Sequence, residues 1–187
     1  ICYGFGVKEV IEKKGVDFLF DDVRHIFKNG DIVFGNLEAS LSNITNKTDF
    51  DAKLFLCDPK VVLGIKNSYI NILSVANNHI MQHGTEAYLS TIKILNENKI
   101  LPIGVKNEIK ILKIKDFNIA FAGNSFIEDH INTWLYNKVS SVENIKTDIS
   151  KIRALVDLVI VSVHWGNEYI NYPSPDQVKI GRELIDH

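Results

Sequence analysis

The chain has 187 residues, 45% hydrophobic and 24% charged, with Lys+Arg 21 against Asp+Glu 23 and a formal net charge of -2. Those proportions describe one folded domain able to bury a sizeable core, and they exclude collagen, coiled coil and a disordered tail. Near-balanced charge excludes nucleic-acid binding by bulk charge. No apolar run reaches the roughly 18–20 residues that span a bilayer. Two cysteines, Cys2 and Cys57, make neither a disulfide framework nor a thiolate zinc site.

Short apolar runs alternate with longer segments of helical period, the pattern of an α/β protein with a mainly parallel sheet. From Val16 to Lys28, the residues Phe18, Leu19, Val23, Ile26 and Phe27 fall at helical spacing and predict an amphipathic helix. Asp31 to Gly35 reads as a buried strand, and the polar stretch from Ser40 to Asp51 as a loop. Pro59 opens a short helix through Lys66. Ile70 to Val75 is a second buried strand, and after the turn Ala76-Asn77-Asn78-His79 a helix capped by Thr85 runs to Asn98. Ile100 to Val105 contains Pro102, which predicts an edge or irregular strand. Glu108 to Lys115 and Asn118 to Gly123 form a hairpin around Asp116-Phe117, antiparallel because so short a link allows no crossover. No period is legible from Asn124 to Tyr136. A helix follows over Val142 to Leu155, then a buried strand from Asp157 to Val163. Ser174-Pro175 starts a last helix ending near Asp186.

Three of these strands run into polar residues: Gly35-Asn36-Leu37-Glu38, Asn77-Asn78-His79 and His164. Ligands of open α/β sheets bind beyond the carboxyl ends of the strands. Parallel strands would therefore bring Asn36, Glu38, Asn78, His79 and His164 to one edge. A carboxylate, amide oxygens and imidazoles form a mixed O/N set suited to manganese, iron or zinc, the kind that clamps a phosphoryl group and activates water. Each residue also has a plainer reading: Glu38 as a solvated carboxylate, Asn77 and Asn78 as turn formers, His79 as a helix cap. Trp165, Tyr169 and Tyr172 are candidates to line a substrate groove. His25, His130 and Cys57 lack partners at ligand spacing, and no phosphate-cradling glycine loop or nucleophile elbow is present.

The segment Asp31 to Ser42 with its Asn-Leu-Glu, the run Ser74-Val-Ala-Asn-Asn-His79 followed by Gly84, and Val161-Ser-Val-His-Trp-Gly-Asn-Glu-Tyr169 together resemble the bacterial capsule synthesis proteins of the CapA (PGA_cap) family. The resemblance covers nearly the whole chain, in the right order. It implies a calcineurin-like metallophosphoesterase fold, a β-sandwich flanked by helices, and a role in making or anchoring poly-γ-glutamate capsule at the cell envelope, alongside capsule-synthesis membrane partners. It implies Glu38, Asn78 and His164 as metal-site residues and His79 as the phosphate-facing catalytic residue. Asn36, Asn77 and Gln82 would stand in or just behind the ligand shell, with Trp165, Glu168 and Tyr169 at the substrate groove. Gln82 stands where that family usually has Asp. The family's opening Gly-Asp and closing Gly-His-His-Pro-His fall outside the 187 residues, so the domain over 1–187 is expected to be incomplete at both termini and its metal site incomplete.

Three functions follow as expectations. The first is a metal-dependent phosphoesterase acting on a phosphoester. The second is a non-catalytic envelope component holding an anionic polymer. The third is a glycoside hydrolase using Glu38 and Glu168, which needs their carboxyl groups roughly 5–9.5 Å apart.

Overall fold

The computed structural model describes residues 5–46, 54–129 and 134–187. Helix α1 (Phe5–Lys14) opens the described chain. The long amphipathic helix predicted from Val16 does not form. Its place is taken by a 3-10 turn over Val16–Phe20, a bend, and the short α2 (Arg24–Phe27). Arg24 explains part of the break: its guanidinium donates to the Asp17 carbonyl at 3.0 Å and pairs with Asp21 at 3.0 Å, bending the chain back on itself. Phe18, Val23 and Ile26 are left exposed.

Strands β1 (Phe34–Asn36), β4 (Ile72–Ser74) and β5 (Leu101–Ile103) form one parallel sheet in the order β1-β4-β5. Pro102 thus stands on an edge strand, as its missing N–H demands. Within the stretch predicted as loop, β2 (Ser40–Leu41) pairs in parallel with β3 (Leu56–Cys57); two residues per strand leave no readable period. Residues 47–51, predicted as loop, lie outside the described residues, as do Cys2 and His130. Helices α3 (Val61–Asn67) and α4 (Thr85–Glu97) stand where predicted, except that Gly84, at φ 89°, rather than Thr85 is the N-cap of α4.

The hairpin forms as β6 (Lys110–Ile114) and β7 (Phe117–Ser125), turning at Lys115-Asp116, and β8 (Leu158–His164) adds in parallel to give a second sheet ordered β6-β7-β8. Helix α5 (Val142–Ile152) and a 3-10 turn (Arg153–Leu155) precede β8. Helix α6 (Pro175–Asp186) follows it, started by a capping box of Ser174 and Gln177.

The three strands with polar ends therefore belong to two sheets, not one. Ile72 and Ile103 of the first sheet pack against Ile119 and Phe121 of the second, with Leu112, Ile114 and Ile160 around them. The opposite face of the first sheet, including Leu73 and Val75, packs with Val61, Ile65, Tyr88 and Leu95 of α3 and α4 into the larger core. This is the flanked two-sheet arrangement of the metallophosphoesterase-like fold.

The sheets come into close contact at Gly104 and Gly123. A Cβ on Gly123 would lie 2.9 Å from the Gly104 Cα and 3.1 Å from the Ser74 Oγ. Gly123→Ala must push the sheets apart at the strand ends, and we expect a loss of about 1–3 kcal/mol, read by urea denaturation. Gly6→Ala, within α1 and with its Cβ meeting nothing within 4 Å, should cost nothing and gain up to about 1 kcal/mol of helix propensity.

Candidate metal centre

Strand parity builds the site. On β8, side chains alternate between faces, so Ile160 in the inter-sheet core and His164 four residues on share the face turned toward the first sheet. There the His164 Nε2 stands 3.0 Å from the Asn78 Oδ1 and 3.5 Å from the Glu38 Oε1. The His79 Nε2 lies 3.9 Å from the same Glu38 oxygen. Glu38, Asn78, His79 and His164 thus meet at the mouth between the two sheets, each partly buried.

The turn 76–80 owes its shape to Asn77, which is fully buried. Its Oδ1 accepts from the backbone N–H of His79 (3.2 Å) and Ile80 (2.9 Å); its Nδ2 donates to the Leu37 carbonyl (2.9 Å) and to the Asn36 Oδ1 (3.1 Å). Asn36 in turn donates from Nδ2 to the Glu38 Oε2 at 3.4 Å. Asn36 and Asn77 thus orient the carboxylate-bearing strand end against the turn. The Gln82 Oε1 stands 2.7 Å from the His79 Nδ1 and fixes that ring edge. The ring face is covered by Phe55, which no sequence signal singled out: it lies just past the aperiodic stretch.

Burial holds the His164 imidazole below the usual histidine range, the nearby Glu38 charge opposing that shift and His79 adding to it. The neutral form has a lone pair to offer a cation.

Donors spaced 3.0 and 3.5 Å match the separations expected around one divalent ion with bonds of about 2.1 Å. Among the described residues, no group of three or more His, Cys, Asp or Glu side chains is gathered tightly enough to enclose a metal ion by itself. The set present, one carboxylate, one or two imidazoles and an amide oxygen, fits as one face of a divalent-metal site that needs further donors.

The other candidate residues stand apart. Trp165 is partly buried, its ring 6.2 Å from that of Phe126, and lines a trough of about 560 Å³ with Val161, Val163 and Leu184 between β8 and α6. Glu168 and Tyr169 are exposed in the following loop, Tyr169 at 97%. Among the described residues, no hydrogen bond or ion pair links Glu168 to the Glu38 cluster. Cys57 is buried in the larger apolar core and His25 is exposed on α2.

Two facing sheets with helices outside them give the metallophosphoesterase-like fold. The chain matches the family model "Bacterial capsule synthesis protein PGA_cap" over residues 1–187, and it belongs to that family. It is 29% identical over 203 residues to the "Capsule biosynthesis protein CapA" of Bacillus anthracis, covering 100% of this chain and 49% of that protein. It is 27% identical over 201 residues to the "PGA biosynthesis protein CapA" of Bacillus subtilis (strain 168), covering 100% of this chain and 52% of that one. The chain thus spans about half the length of these relatives. No described helix is long and apolar enough to cross a membrane.

Proposed function

We propose that this chain forms the body of a metal-dependent phosphoesterase that acts in capsule poly-γ-glutamate biosynthesis at the cell envelope. The observation that carries the reading is the convergence of Glu38, Asn78, His79 and His164 from two sheets on one mouth, within 3.0–3.9 Å of their neighbours. The names of the two Bacillus proteins support the capsule role.

Glu38, Asn78 and His164 would hold a manganese, iron or zinc ion. Such an ion supplies positive charge to a phosphoryl oxygen and makes water a better nucleophile. The chain's own residues do the rest. Glu38 brings the negative charge that attracts the cation, and Asn36 holds one of its oxygens so that the other faces the mouth. Asn78 and neutral His164 supply donors without adding charge. His79 has its Nδ1 held by Gln82, which leaves Nε2 as the atom that holds or releases a proton toward the leaving oxygen.

The test is metal titration and hydrolysis of bis(p-nitrophenyl) phosphate by the complete polypeptide supplied with manganese. Wild type should bind the metal and turn over the ester. His164→Ala should weaken metal binding at least about tenfold, since loss even of a group behind the ligands costs that much. Retention of poly-γ-glutamate with neither metal binding nor hydrolysis would favour a polymer-holding role and overturn the enzymatic reading.

A further inference from the structure

Phe55 stacks face to face on the imidazole of His79, the ring centroids 3.7 Å apart and the planes within 12°. Its backbone is in the left-handed region, φ 56°. A bulky residue adopts that conformation only where its surroundings impose it, and such positions cluster at functional sites. The imposing contacts are visible. The Ser40 N–H donates to the Phe55 carbonyl at 2.8 Å, at the start of the β2–β3 pairing. One residue earlier, the His83 Nε2 stands 2.6 Å from the Leu54 carbonyl, and its Nδ1 2.8 Å from the Thr45 hydroxyl. Residues 54 and 55 are therefore fastened on both sides, and the strain is held where it aims one ring at another. The back of Phe55 packs on the larger core, so its position is tied to the body of the protein.

An imidazole on a surface turn is otherwise free to rotate about its χ angles. Here the Asn77 Oδ1 fixes the His79 backbone, the Gln82 Oε1 holds Nδ1, and Phe55 closes one ring face. The remaining ring nitrogen is the one turned toward Glu38. We infer that Phe55 is a positioning residue for His79: its ring, seated on a strained backbone, clamps the imidazole so that Nε2 stays aimed into the mouth. The inference rests on the role proposed above for His79, but the clamp itself is a property of the chain alone.

Two readouts separate the clamp from the activity. The first is the NMR signal of the His79 ring protons in selectively 13C-histidine-labelled complete protein, assigned with His79→Gln. A face-stacked aromatic ring shields those protons, so they should lie upfield in wild type and Phe55→Tyr and move downfield in Phe55→Leu. The His164 signals should move little. The second is steady-state hydrolysis of bis(p-nitrophenyl) phosphate with manganese: Phe55→Leu should lower kcat at least about tenfold, because misplacing a catalytic group is costly. KM should stay within about twofold, and Phe55→Tyr should restore kcat. Thermal unfolding of Phe55→Leu and of Phe55→Gly, which accepts the positive φ without penalty, checks that the fold persists.

An unmoved His79 signal in Phe55→Leu overturns the clamp whatever the activity. A moved signal with unchanged kcat, or with only KM raised, overturns the positioning role. A moved signal in Phe55→Leu, where the wild-type protein hydrolyses nothing, upholds the clamp and sinks the phosphoesterase reading instead.

Discussion

Asn77→Ala is expected to destabilise the protein by about 3 kcal/mol, because it orphans buried groups at roughly 1–3 kcal/mol each. The residue is fully buried, and its amide makes four hydrogen bonds. Truncation leaves the Ile80 and His79 N–H groups and the Leu37 carbonyl without these partners. For a domain of this size the midpoint of thermal unfolding should fall by about 6–12 °C. Asn77→Asp is the discriminating companion. It keeps an acceptor for the two N–H groups but sets a second carboxylate oxygen against the Leu37 carbonyl and the Asn36 Oδ1, both acceptors. It should lose most of the same stability, and near-wild-type unfolding of Asn77→Asp would show that the acceptor half alone matters. Both variants should weaken the proposed metal binding, since Asn77 holds Asn36, which itself bonds Glu38, and the Leu37 carbonyl next to it.

The sequence makes part of this legible. The buried strand over Asp157 to Val163, the Ser174-Pro175 start and the hairpin all appear in the structure within a residue or two, because each is specified by local chemistry: a continuous apolar run, a cap, a short turn. The segment from Val16 to Lys28 departs from its helical spacing because apolar period says nothing of the Arg24 bonds that fold the chain back. The strand ends were found by their polar residues, but their division between two sheets was not legible: strand period reports a buried face, not the sheet to which it belongs. Asn77 reads as a turn residue, which it is; that its amide also ties Asn36 and Leu37 across forty residues is a tertiary fact. Phe55 had no sequence signal at all, since its role depends on a left-handed backbone imposed by Ser40 and His83.

Asp129→Ala is expected to cost about 3–5 kcal/mol, the range for removing one partner of a buried ion pair. The Asp129 side chain is only 6% exposed and that of Lys138 11%, and they pair at 3.3 Å. The same carboxylate accepts from the Trp134 Nε1 at 2.6 Å and from the Tyr136 hydroxyl, while the Lys138 ammonium sits 4.3 Å from the centre of the Trp134 ring. Removing the carboxylate leaves the two ring-borne donors without it and leaves Lys138 only the exposed carboxylate of Glu128, 3.3 Å away. The consequence reaches the candidate site because residues 134–139 lash the two sheets to each other. The Asn137 N–H donates to the Gly104 carbonyl after β5, while the Ser125 N–H at the end of β7 donates to the Asn137 carbonyl and the Val139 N–H to that of Ser125. Ser125 is the register partner of His164. Loosening this lash should therefore weaken the proposed metal binding as well as stability. Burial, followed by the bond to Asp129, raises the Tyr136 pKa above its ordinary value. The native state then keeps a proton that the unfolded chain loses above about pH 10, so wild-type stability should fall as pH rises past that point. The decisive measurement is a double-mutant cycle in urea. Lys138→Met in the Asp129→Ala background removes a largely buried cation that then has only the exposed Glu128 as partner, and it should restore part of the lost stability, as apolar replacement of buried pairs does. Strictly additive losses would show that the pair is not coupled, and that the lash depends on its backbone bonds alone.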